Sequence, residues 1–321
     1  MARTGRRWNE KSVPDQSGKR ILITGANSGI GFEAARVLAQ HGAQVILACR
    51  NEQKALSAMA RIRGLYPRAS LQFMPLDLGS QQSIRELAAL FFEQYDSLDI
   101  LINNAGVMWL PESRTVDGFE SQLGTNHLGH FTLTGLLLPA LLKTPGARVV
   151  TISSIAHRDG QIHFDDLWLQ QGYRKHTAYA QSKLANLMFA RELQKRLSKA
   201  GSSVISVAAH PGVASTHLAV PGFEQGGQTL LAKAMQILTP VVAQSALKGA
   251  LPTLYAATSH EVEGGEYYGP SGFYEAFGYP GKATSTGRSR KEDVWQKLWE
   301  VSEQLTGVHY DFQAAPEAVT A

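Results

Sequence analysis

Short apolar runs alternate with longer stretches of helical periodicity from Lys19 onward, and this alternation most constrains the fold. Runs rich in β-branched residues are typical of a parallel sheet that is covered by helices on both faces. The predicted strands are Arg20–Thr24, Gln44–Cys49, Leu71–Leu76, Ile100–Asn103, Arg148–Ser153, Ser203–Ala209 and Glu266–Tyr268. The predicted helices are Gly29–Gln40, Glu52–Leu65, Gln81–Gln94, Phe119–Leu142, Tyr179–Ala200, Gln244–Ala257 and Lys291–Thr306.

The predicted architecture is one α/β domain with a doubly wound, seven-stranded parallel sheet. Among the 321 residues we find no Pro/Ser-rich linker, internal repeat or low-complexity tract that would divide the chain. We expect the domain to span residues 19–307. Residues 1–18 form an N-terminal extension and residues 308–321 a C-terminal tail, and both are expected to be poorly ordered.

Charge, apolar runs and cysteine content exclude several classes of protein. The formal charge is +4, but five of the 31 Lys and Arg residues lie within the first 19 positions, and no basic helix face follows, so nucleic-acid binding is not expected. No apolar run approaches the roughly 20 residues of a membrane helix, which predicts a soluble, cytoplasmic protein without a membrane span. The single cysteine, Cys49, lies in an apolar run and is expected to be buried.

The histidines do not predict a metal site or a Ser/His/Asp hydrolase. No pair of them has the spacing of metal ligands on one helix face, and no C-x-x-C pattern accompanies them. His163, with Asp165 and Asp166, lies in a stretch typical of a solvated loop. We therefore expect no bound metal.

A glycine-rich turn, Gly25–Gly31, joins the first predicted strand to the first predicted helix. Glycines permit a tight turn and close backbone approach, and a helix N-terminus offers free N–H groups and a positive dipole to a phosphate. A tight turn without a ligand would use the same glycines, but the preceding strand and the following helix favour a dinucleotide pyrophosphate site.

The second predicted strand ends at Arg50 and Asn51, where a dinucleotide fold faces the adenosine ribose. An acidic residue there would bond the 2′-hydroxyl of NAD, whereas an arginine accommodates the 2′-phosphate of NADP. Arg50 is present and an acid is not, so NADP(H) is the expected cofactor. Lys54 adds a second positive charge, although solvated surface charges would also explain both basic residues.

Polar residues also follow the third and fourth predicted strands, at Asp77-Leu78 and at Asn103–Gly106. Strand ends of this kind form the edge where ligands bind in open α/β sheets. Asp77 is equally suited to cap the next helix, and Asn103–Gly106 equally suited to a plain turn. On the residues alone, both interpretations stay open.

Several separated motifs resemble, in order and approximate spacing, the signature of the short-chain dehydrogenase/reductase family, over roughly residues 17–307. These motifs are Thr24–Gly31, Asn103–Gly106 and Tyr179–Lys183. Three further stretches are similar to the retinol dehydrogenase-like branch, which includes relatives of WW-domain oxidoreductase and protochlorophyllide reductase: Asn126–Phe131, Ser182–Asn186 and Leu298–Glu303. The resemblance implies a Rossmann-like fold and a nicotinamide cofactor.

The resemblance also implies which residues contact that cofactor. They are Gly25, Asn27, Ser28, Gly29, Ile30 and Gly31 at the pyrophosphate, Arg50, Asn51, Lys54, Asp77, Leu78, Asn104, Ala105 and Gly106 around the adenosine, and Tyr179, Lys183, Pro211, Gly212, Val213 and Thr216 at the nicotinamide half.

Tyr179 and Lys183 are four residues apart on a predicted helix, so both side chains project from one face. A tyrosine pKa near 10 is too high for efficient proton exchange at neutral pH, and a nearby ammonium is expected to lower it. A surface Tyr/Lys pair is common on helices, and it is the nucleotide motifs that favour the catalytic interpretation. The resemblance implies that Ser154 orients the substrate oxygen and that Asn126 supports a proton relay to Lys183.

These roles predict an NADP(H)-dependent oxidoreductase that interconverts a carbonyl and an alcohol. Ser154 and Tyr179 are 25 residues apart, which is more than in compact members of the family that the chain resembles, so the resemblance implies an inserted lobe at Ile155–Thr177, which Leu167, Trp168 and Tyr173 could line. With the segment 215–238 it would cover a hydrophobic ligand, for which steroid, terpenoid, aryl ketone and long-chain aldehyde stay open. Pairing of the long helices between subunits would give a homo-oligomer. The alternative is a non-catalytic nucleotide sensor or scaffold with the same fold.

Overall fold

A computed structural model describes residues 7–213 and 245–313 of the chain. Within them the strands are β1 (Arg20–Thr24), β2 (Gln44–Cys49), β3 (Ser70–Pro75), β4 (Ile100–Asn103), β5 (Arg148–Ile152), β6 (Ile205–Ala209), β7 (Tyr267–Pro270) and β8 (Pro280–Lys282). The helices are α1 (Gly29–Gln40), α2 (Glu52–Leu65), α3 (Gln81–Gln94), α4 (Ser121–Leu123), a π-helix (Gly124–Leu128), α5 (Gly129–Leu142), α6 (Lys175–Lys199), α7 (Ala246–Thr258) and α8 (Glu292–Thr306). Four short 3₁₀ turns lie at Glu10–Ser12, Ile155–Asp159, Phe273–Glu275 and Arg288–Arg290.

The strands form one sheet in the order β3-β2-β1-β4-β5-β6-β7-β8, parallel from β3 to β7. Successive strands are added outward in opposite directions from β1 and β4, so the strand order reverses between these two. In open α/β sheets, ligands bind in the crevice beyond the carboxyl ends of the strands at such a reversal. The topology therefore places the candidate site beyond the ends of β1, β4 and β5.

The predicted doubly wound α/β fold is confirmed, with one correction to the number of strands. The seven predicted strands are present, with ends within two residues of the prediction. The eighth strand, β8, is not among the predicted ones, and it pairs antiparallel with β7 at the edge of the sheet. Three residues, Pro-Gly-Lys, carry no strand signal, because proline and glycine are depleted in strands.

Two predicted helices also differ from the observed ones. The stretch predicted as one helix at Phe119–Leu142 is interrupted by the π-helix Gly124–Leu128. The helix predicted to begin at Tyr179 begins four residues earlier, at Lys175. The start predicted for the helix at Gln244 lies outside the described residues, and its observed part, α7, begins at Ala246.

The core lies on both faces of the sheet. Ile21 and Ile23 of β1 pack on one side with α1 and α7, whereas Leu22 packs on the other side with α3 and α5. Alternating side chains of a strand point to opposite faces, so a strand covered by helices on both sides is apolar throughout. This packing explains why β1 contains no alternating polar positions.

The described parts of both chain ends pack against the domain. Val13 is buried and Trp8 makes an edge contact with Tyr255 of α7. Near the other end, Tyr310 and Phe312 pack against the core beside α5 and α6. The prediction of poorly ordered ends is therefore wrong for these residues, because apolar side chains spaced along each segment bury area that the charge pattern did not reveal. In residues 7–213 and 245–313, no helix combines the length and the apolar character needed to cross a bilayer.

Candidate active site

The glycine turn between β1 and α1 leaves the N-terminus of α1 open. Gly25 and Gly29 have φ angles of +68° and +57°, which favour glycine. A Cβ on Gly31 would lie 2.5 Å from the carbonyl oxygen of Gly25. Ser28 is the N-cap residue, but its side chain makes no capping hydrogen bond. The first N–H groups of α1 thus face a turn without obstructing side chains, which suits a pyrophosphate.

Thr24, the last residue of β1, fastens the end of β4 to this turn. Its hydroxyl accepts hydrogen bonds from the backbone N–H groups of Asn104 and Ala105, both at 2.9 Å. The side-chain amide of Asn104 donates to the Thr24 carbonyl at 2.8 Å. The two predicted nucleotide motifs, far apart in sequence, are therefore one structural unit.

The predicted adenosine residues surround the end of β2. The Arg50 side chain is 78% exposed, and its only close acidic neighbour among the described residues is Asp77, at 3.9 Å. Asn51 caps α2 by accepting the N–H of Lys54 at 2.8 Å, so its side chain is committed to the helix. Asp77 accepts the N–H of Gly79 at 2.9 Å. Arg50 remains free to meet an anion at this edge.

Tyr179 and Lys183 lie on α6 and are both buried at the ends of β4 and β5. The Lys183 ammonium donates to the carbonyl oxygen of Ile152, the last residue of β5, at 3.2 Å, and it lies 5.7 Å from the centroid of the Tyr179 ring. A Cβ on Gly106 would lie 3.3 Å from the Lys183 Nζ. A glycine at this position therefore leaves room beside the lysine.

Burial dominates the ionisation of this pair. It raises the pKa of the Tyr179 hydroxyl to about 12, and a hydrogen bond with the Ser154 side chain only partly offsets the effect. Burial also lowers the pKa of Lys183 to about 8. In the protein alone the pKa of the tyrosine is therefore raised, where a lowered value was predicted, because desolvation of the phenolate is the largest contribution.

Asn126 lies within the π-helix and joins three segments of the site. Its side-chain oxygen accepts the N–H of Val107 at 2.8 Å, while its amide group donates to the Val107 carbonyl and to the Ser182 hydroxyl, both at 2.9 Å. Ser182 in turn donates to the carbonyl oxygen of Tyr179 at 2.8 Å. The buried amide is fully paired, as burial of a polar group requires.

The two serines after β5 have different environments. The Ser153 hydroxyl donates to the carbonyl oxygen of Lys183 at 2.7 Å and is buried. Ser154 caps the following 3₁₀ turn by accepting the N–H of Ala156 at 3.2 Å, and its side chain also meets Tyr179. Of the two serines, Ser154 is therefore the one whose hydroxyl lies beside the tyrosine.

Sequence reasoning missed two buried histidines behind the site. His157 Nδ1 donates to the Ser154 carbonyl at 2.7 Å, and His210 directly precedes the predicted nicotinamide loop Pro211–Val213. Burial lowers the pKa of His157 to about 4. Nothing in the sequence distinguished these histidines, because their burial depends on tertiary packing: both rings pack against Tyr267, which is more than 50 positions away from each of them. Thr216, the remaining predicted nicotinamide residue, lies outside the described residues.

The inserted lobe predicted at Ile155–Thr177 packs against the rest of the domain. Trp168 stacks on Phe119 at 5.6 Å between ring centroids, and Leu167 packs beside it against the cluster around α6 and α8. The Tyr173 hydroxyl donates to the Leu110 carbonyl at 3.1 Å. These three side chains fix the lobe through packing and hydrogen bonding. The other segment predicted to cover the ligand, 215–238, lies outside the described residues.

The described ranges contain no group of three or more His, Cys, Asp or Glu residues able to hold a metal ion. Cys49 is buried, as predicted, and burial raises the pKa of its thiol to about 11.

Comparison with known proteins agrees with this geometry. The sequence profile of the short chain dehydrogenase family matches residues 19–225. The chain is 41% identical over 296 residues to retinol dehydrogenase 12 of Mus musculus, which covers 92% of this chain and 88% of that protein. It is also 41% identical over 296 residues to retinol dehydrogenase 13 of Homo sapiens, covering 91% and 85% of the two chains.

Solved structures with the same architecture include a putative uncharacterized protein from Mycobacterium paratuberculosis, with a TM-score of 0.78 and 39% identity over 95% of this chain and all of that one. A short chain dehydrogenase from Shigella flexneri, solved in complex with NADP, has a TM-score of 0.61 and 25% identity, covering 78% of this chain and 96% of that one. The profile match, the curated relatives and the shared fold lead to one conclusion. The chain belongs to the short-chain dehydrogenase/reductase family, in its retinol dehydrogenase-like branch.

Proposed function

We propose that this member of an oxidoreductase family is an NADP(H)-dependent enzyme that interconverts a carbonyl and an alcohol on an apolar small molecule. The observation that carries the proposal is the burial of Tyr179 and Lys183 side by side at the ends of β4 and β5, next to Ser154 and Asn126. A phenol and an ammonium in one desolvated site form a proton donor and its electrostatic partner.

The residues present fit a nicotinamide dinucleotide. The N-terminus of α1, which has no side-chain cap, suits its pyrophosphate, and Gly31 allows this helix start to pack closely against Gly25 and Asn104, where a Cβ would collide with both. Arg50 supports the choice of NADP(H), because its guanidinium is exposed at the end of β2, where a ribose phosphate would lie. When bound, this cofactor supplies or accepts a hydride.

The residues of the chain carry the proton and orient the substrate. In the reducing direction the Ser154 hydroxyl hydrogen-bonds the carbonyl oxygen, and the Tyr179 phenol donates its proton to that oxygen. Lys183 stabilises the phenolate that results, and the network around Asn126 holds Lys183 and α6 in register. Oxidation reverses these steps. Ser153 is excluded from the substrate role because its hydroxyl is bonded to the backbone of α6.

NADPH oxidation with a panel of apolar ketones and aldehydes tests the proposed activity. Steady turnover supports the enzyme, whereas tight NADPH binding without turnover on any compound would favour the nucleotide-sensing alternative. Product analysis of the active compounds identifies the preferred carbonyl class.

Calorimetry with NADPH and NADH tests the cofactor choice. We expect NADPH to bind more tightly, and Arg50→Asp to reverse the order, because a carboxylate repels the 2′-phosphate and accepts the ribose hydroxyl. Arg68→Asp is the matched control, since Arg68 is an exposed arginine that precedes β3 and therefore lies at the amino ends of the strands, away from Arg50 at their carboxyl ends. Equal or tighter NADH binding by the unmutated protein would contradict the assignment.

A further inference from the structure

Glu275 lies in the loop between β7 and β8, and its carboxylate accepts hydrogen bonds from Arg158 and Thr284 and lies within ion-pair distance of His210, so that it meets three separate segments. Arg158 Nη2 lies at 2.8 Å, His210 Nε2 at 3.3 Å, and the backbone N–H and the hydroxyl of Thr284 both at 2.7 Å. Arg158 belongs to the 3₁₀ turn that Ser154 caps, and His210 begins the predicted nicotinamide loop. One carboxylate thus links both sides of the proposed reaction site.

The backbone of this loop has an unfavourable conformation at Glu275 and at the residue before it. Tyr274 and Glu275 are consecutive non-glycine residues with φ angles of +49° and +59°. Each such conformation costs roughly 1 kcal/mol or more and persists only where other contacts offset it. The side chains of Phe273 and Tyr274 are 71% and 73% exposed, so the offset comes from the contacts of the Glu275 carboxylate together with backbone hydrogen bonds across the loop, such as that from the Gly272 N–H to the Phe277 carbonyl at 2.9 Å.

A hydrogen bond to the His210 ring indicates which of its two nitrogens carries the proton. Its Nδ1 accepts the N–H of Gly212 at 3.2 Å, so in the neutral ring the proton is on Nε2, which faces Glu275. Burial opposes ionisation of the Glu275 carboxyl, but hydrogen bonds from His210 and Thr284 outweigh it and lower its pKa to about 2. The carboxylate is therefore charged throughout the neutral range.

The nicotinamide loop also docks on the residue next to Glu275. The N–H of Val213 donates to the Ala276 carbonyl at 2.8 Å. A Cβ on Gly212 would lie 2.4 Å from the same oxygen, so only glycine permits this approach. The position of residues 211–213 therefore depends on where Glu275 and Ala276 are held.

We propose that Glu275 is a positioning residue, whose carboxylate holds the nicotinamide loop and the turn after Ser154 in the arrangement that receives the nicotinamide half of the cofactor. This inference rests on the proposed function. It predicts a defect confined to that half, because Arg50 and the glycine turn lie in other segments and bind the adenosine and pyrophosphate independently of Glu275.

The test compares two ligands, NADPH and 2′,5′-ADP, which lacks the nicotinamide. In Glu275→Gln, an amide N–H₂ group replaces one carboxylate oxygen and faces Arg158 or His210, which are themselves donors. We therefore expect the affinity for NADPH to fall about tenfold, which is the scale of one lost charge-assisted hydrogen bond. The affinity for 2′,5′-ADP should stay unchanged, and KM for NADPH should rise. Glu263→Gln is the matched control, because Glu263 contacts Lys282 of the same hairpin on the surface and should change neither affinity.

Thr284→Val provides a second variant if Glu275→Gln does not fold. It removes one of the four donors at nearly constant volume and should produce the same pattern at reduced size. Unchanged NADPH affinity in folded Glu275→Gln, or an equal loss for both ligands, overturns the positioning role. An unmutated protein that binds neither ligand overturns the cofactor assignment and this inference with it, whereas normal binding by the unmutated protein isolates the effect of Glu275.

Discussion

Burial shifts the pKa values of the Tyr179 hydroxyl and the Lys183 ammonium in opposite directions. Burial disfavours the charged form of each group, which raises the pKa of the tyrosine to about 12 and lowers that of the lysine to about 8. At neutral pH both groups are therefore protonated. A protonated phenol is the form required for donating a proton to a carbonyl oxygen.

We predict that reduction loses rate as the pH rises through about 8. Lys183 loses its charge in that range, while Tyr179 still carries its proton, so the phenolate formed in the reaction loses its stabilising ammonium. Single-turnover reduction measured from pH 6 to 10 should be flat at low pH and fall at high pH. A rate that increases above pH 8 would rule out this protonation scheme.

Replacing Tyr179 by phenylalanine should separate binding from chemistry. The ring remains packed, so NADPH affinity should be preserved, while turnover should fall by about two to four powers of ten, as for a lost acid/base group. The variant would be tested by calorimetry and by steady-state NADPH oxidation. Near-normal turnover would exclude Tyr179 as the proton donor.

At the scale of elements, the π-helix Gly124–Leu128 is the feature that shapes the site. A π turn shifts the backbone hydrogen bonds by one residue and frees a carbonyl group. Here the Asn126 carbonyl accepts from His130 Nδ1 at 2.8 Å, and His130 Nε2 lies 2.9 Å from the Thr24 hydroxyl. Since a carbonyl can only accept, Nδ1 carries the proton and the Thr24 hydroxyl donates to Nε2.

His130 therefore connects the glycine turn to the π-helix, and its removal should affect function as well as stability. Burial lowers its pKa to about 4, so the ring is neutral at physiological pH. We expect His130→Phe to lower the free energy of unfolding by about 1 to 3 kcal/mol, through unpaired buried groups, and also to weaken NADPH binding. Urea unfolding and calorimetry measure the two effects.

His127→Phe is the matched control for this prediction. His127 is a buried histidine of the π-helix, one turn before His130 of α5, but its Nε2 contacts the Ser302 hydroxyl of α8 at 3.0 Å, away from the glycine turn. We expect a similar loss of stability with unchanged NADPH affinity. If both variants bound NADPH equally, His130 would have only a structural role.

At the scale of the whole molecule, the C-terminal residues 308–312 cover α5 and α6, the two long helices that were expected to pair between subunits. The Tyr310 hydroxyl donates to the Phe131 carbonyl of α5 at 2.6 Å, and a Cβ on Gly135 would lie 2.6 Å from Val308. Trp299 of α8 packs between Tyr310 and Phe189 of α6. This surface of α5 and α6 is occupied by the chain itself.

We predict that subunits do not pair through this surface. Tyr310→Ala should lower the free energy of unfolding by about 2 kcal/mol, because a partly buried aromatic side chain loses its packing against Trp299 and Phe131, and it should expose apolar area that promotes association. Denaturant unfolding and light scattering measure both effects, with Phe92→Ala, a half-exposed residue on α3, as the control. A stable dimer of the unmutated protein that Tyr310→Ala dissociates would contradict the prediction.

Local sequence determined the parallel sheet, the glycine turn and most helix ends. The strands β1, β2 and β4 have their predicted bounds because an apolar run between turn residues encodes a buried strand without reference to distant contacts. The same holds for α1, α2 and α3, which end where their periodicity ends. The grouping of Thr24–Gly31 with Asn103–Gly106 followed from the rule that parallel strands end at one edge.

The tertiary structure alone decided the features that depend on distant partners. Strand β8 exists because β7 offers it an edge, and the π turn that interrupts the predicted helix lies where the Asn126 carbonyl accepts a hydrogen bond from His130. The pKa values of Tyr179 and Lys183 follow from burial under segments far away in the chain, which outweighs the attraction that their spacing suggested. The four donors around Glu275 come from positions 9 to 117 residues away, so no local pattern encodes them. Local propensity is written along the chain, but desolvation and long-range hydrogen bonds arise only when separate segments are packed together.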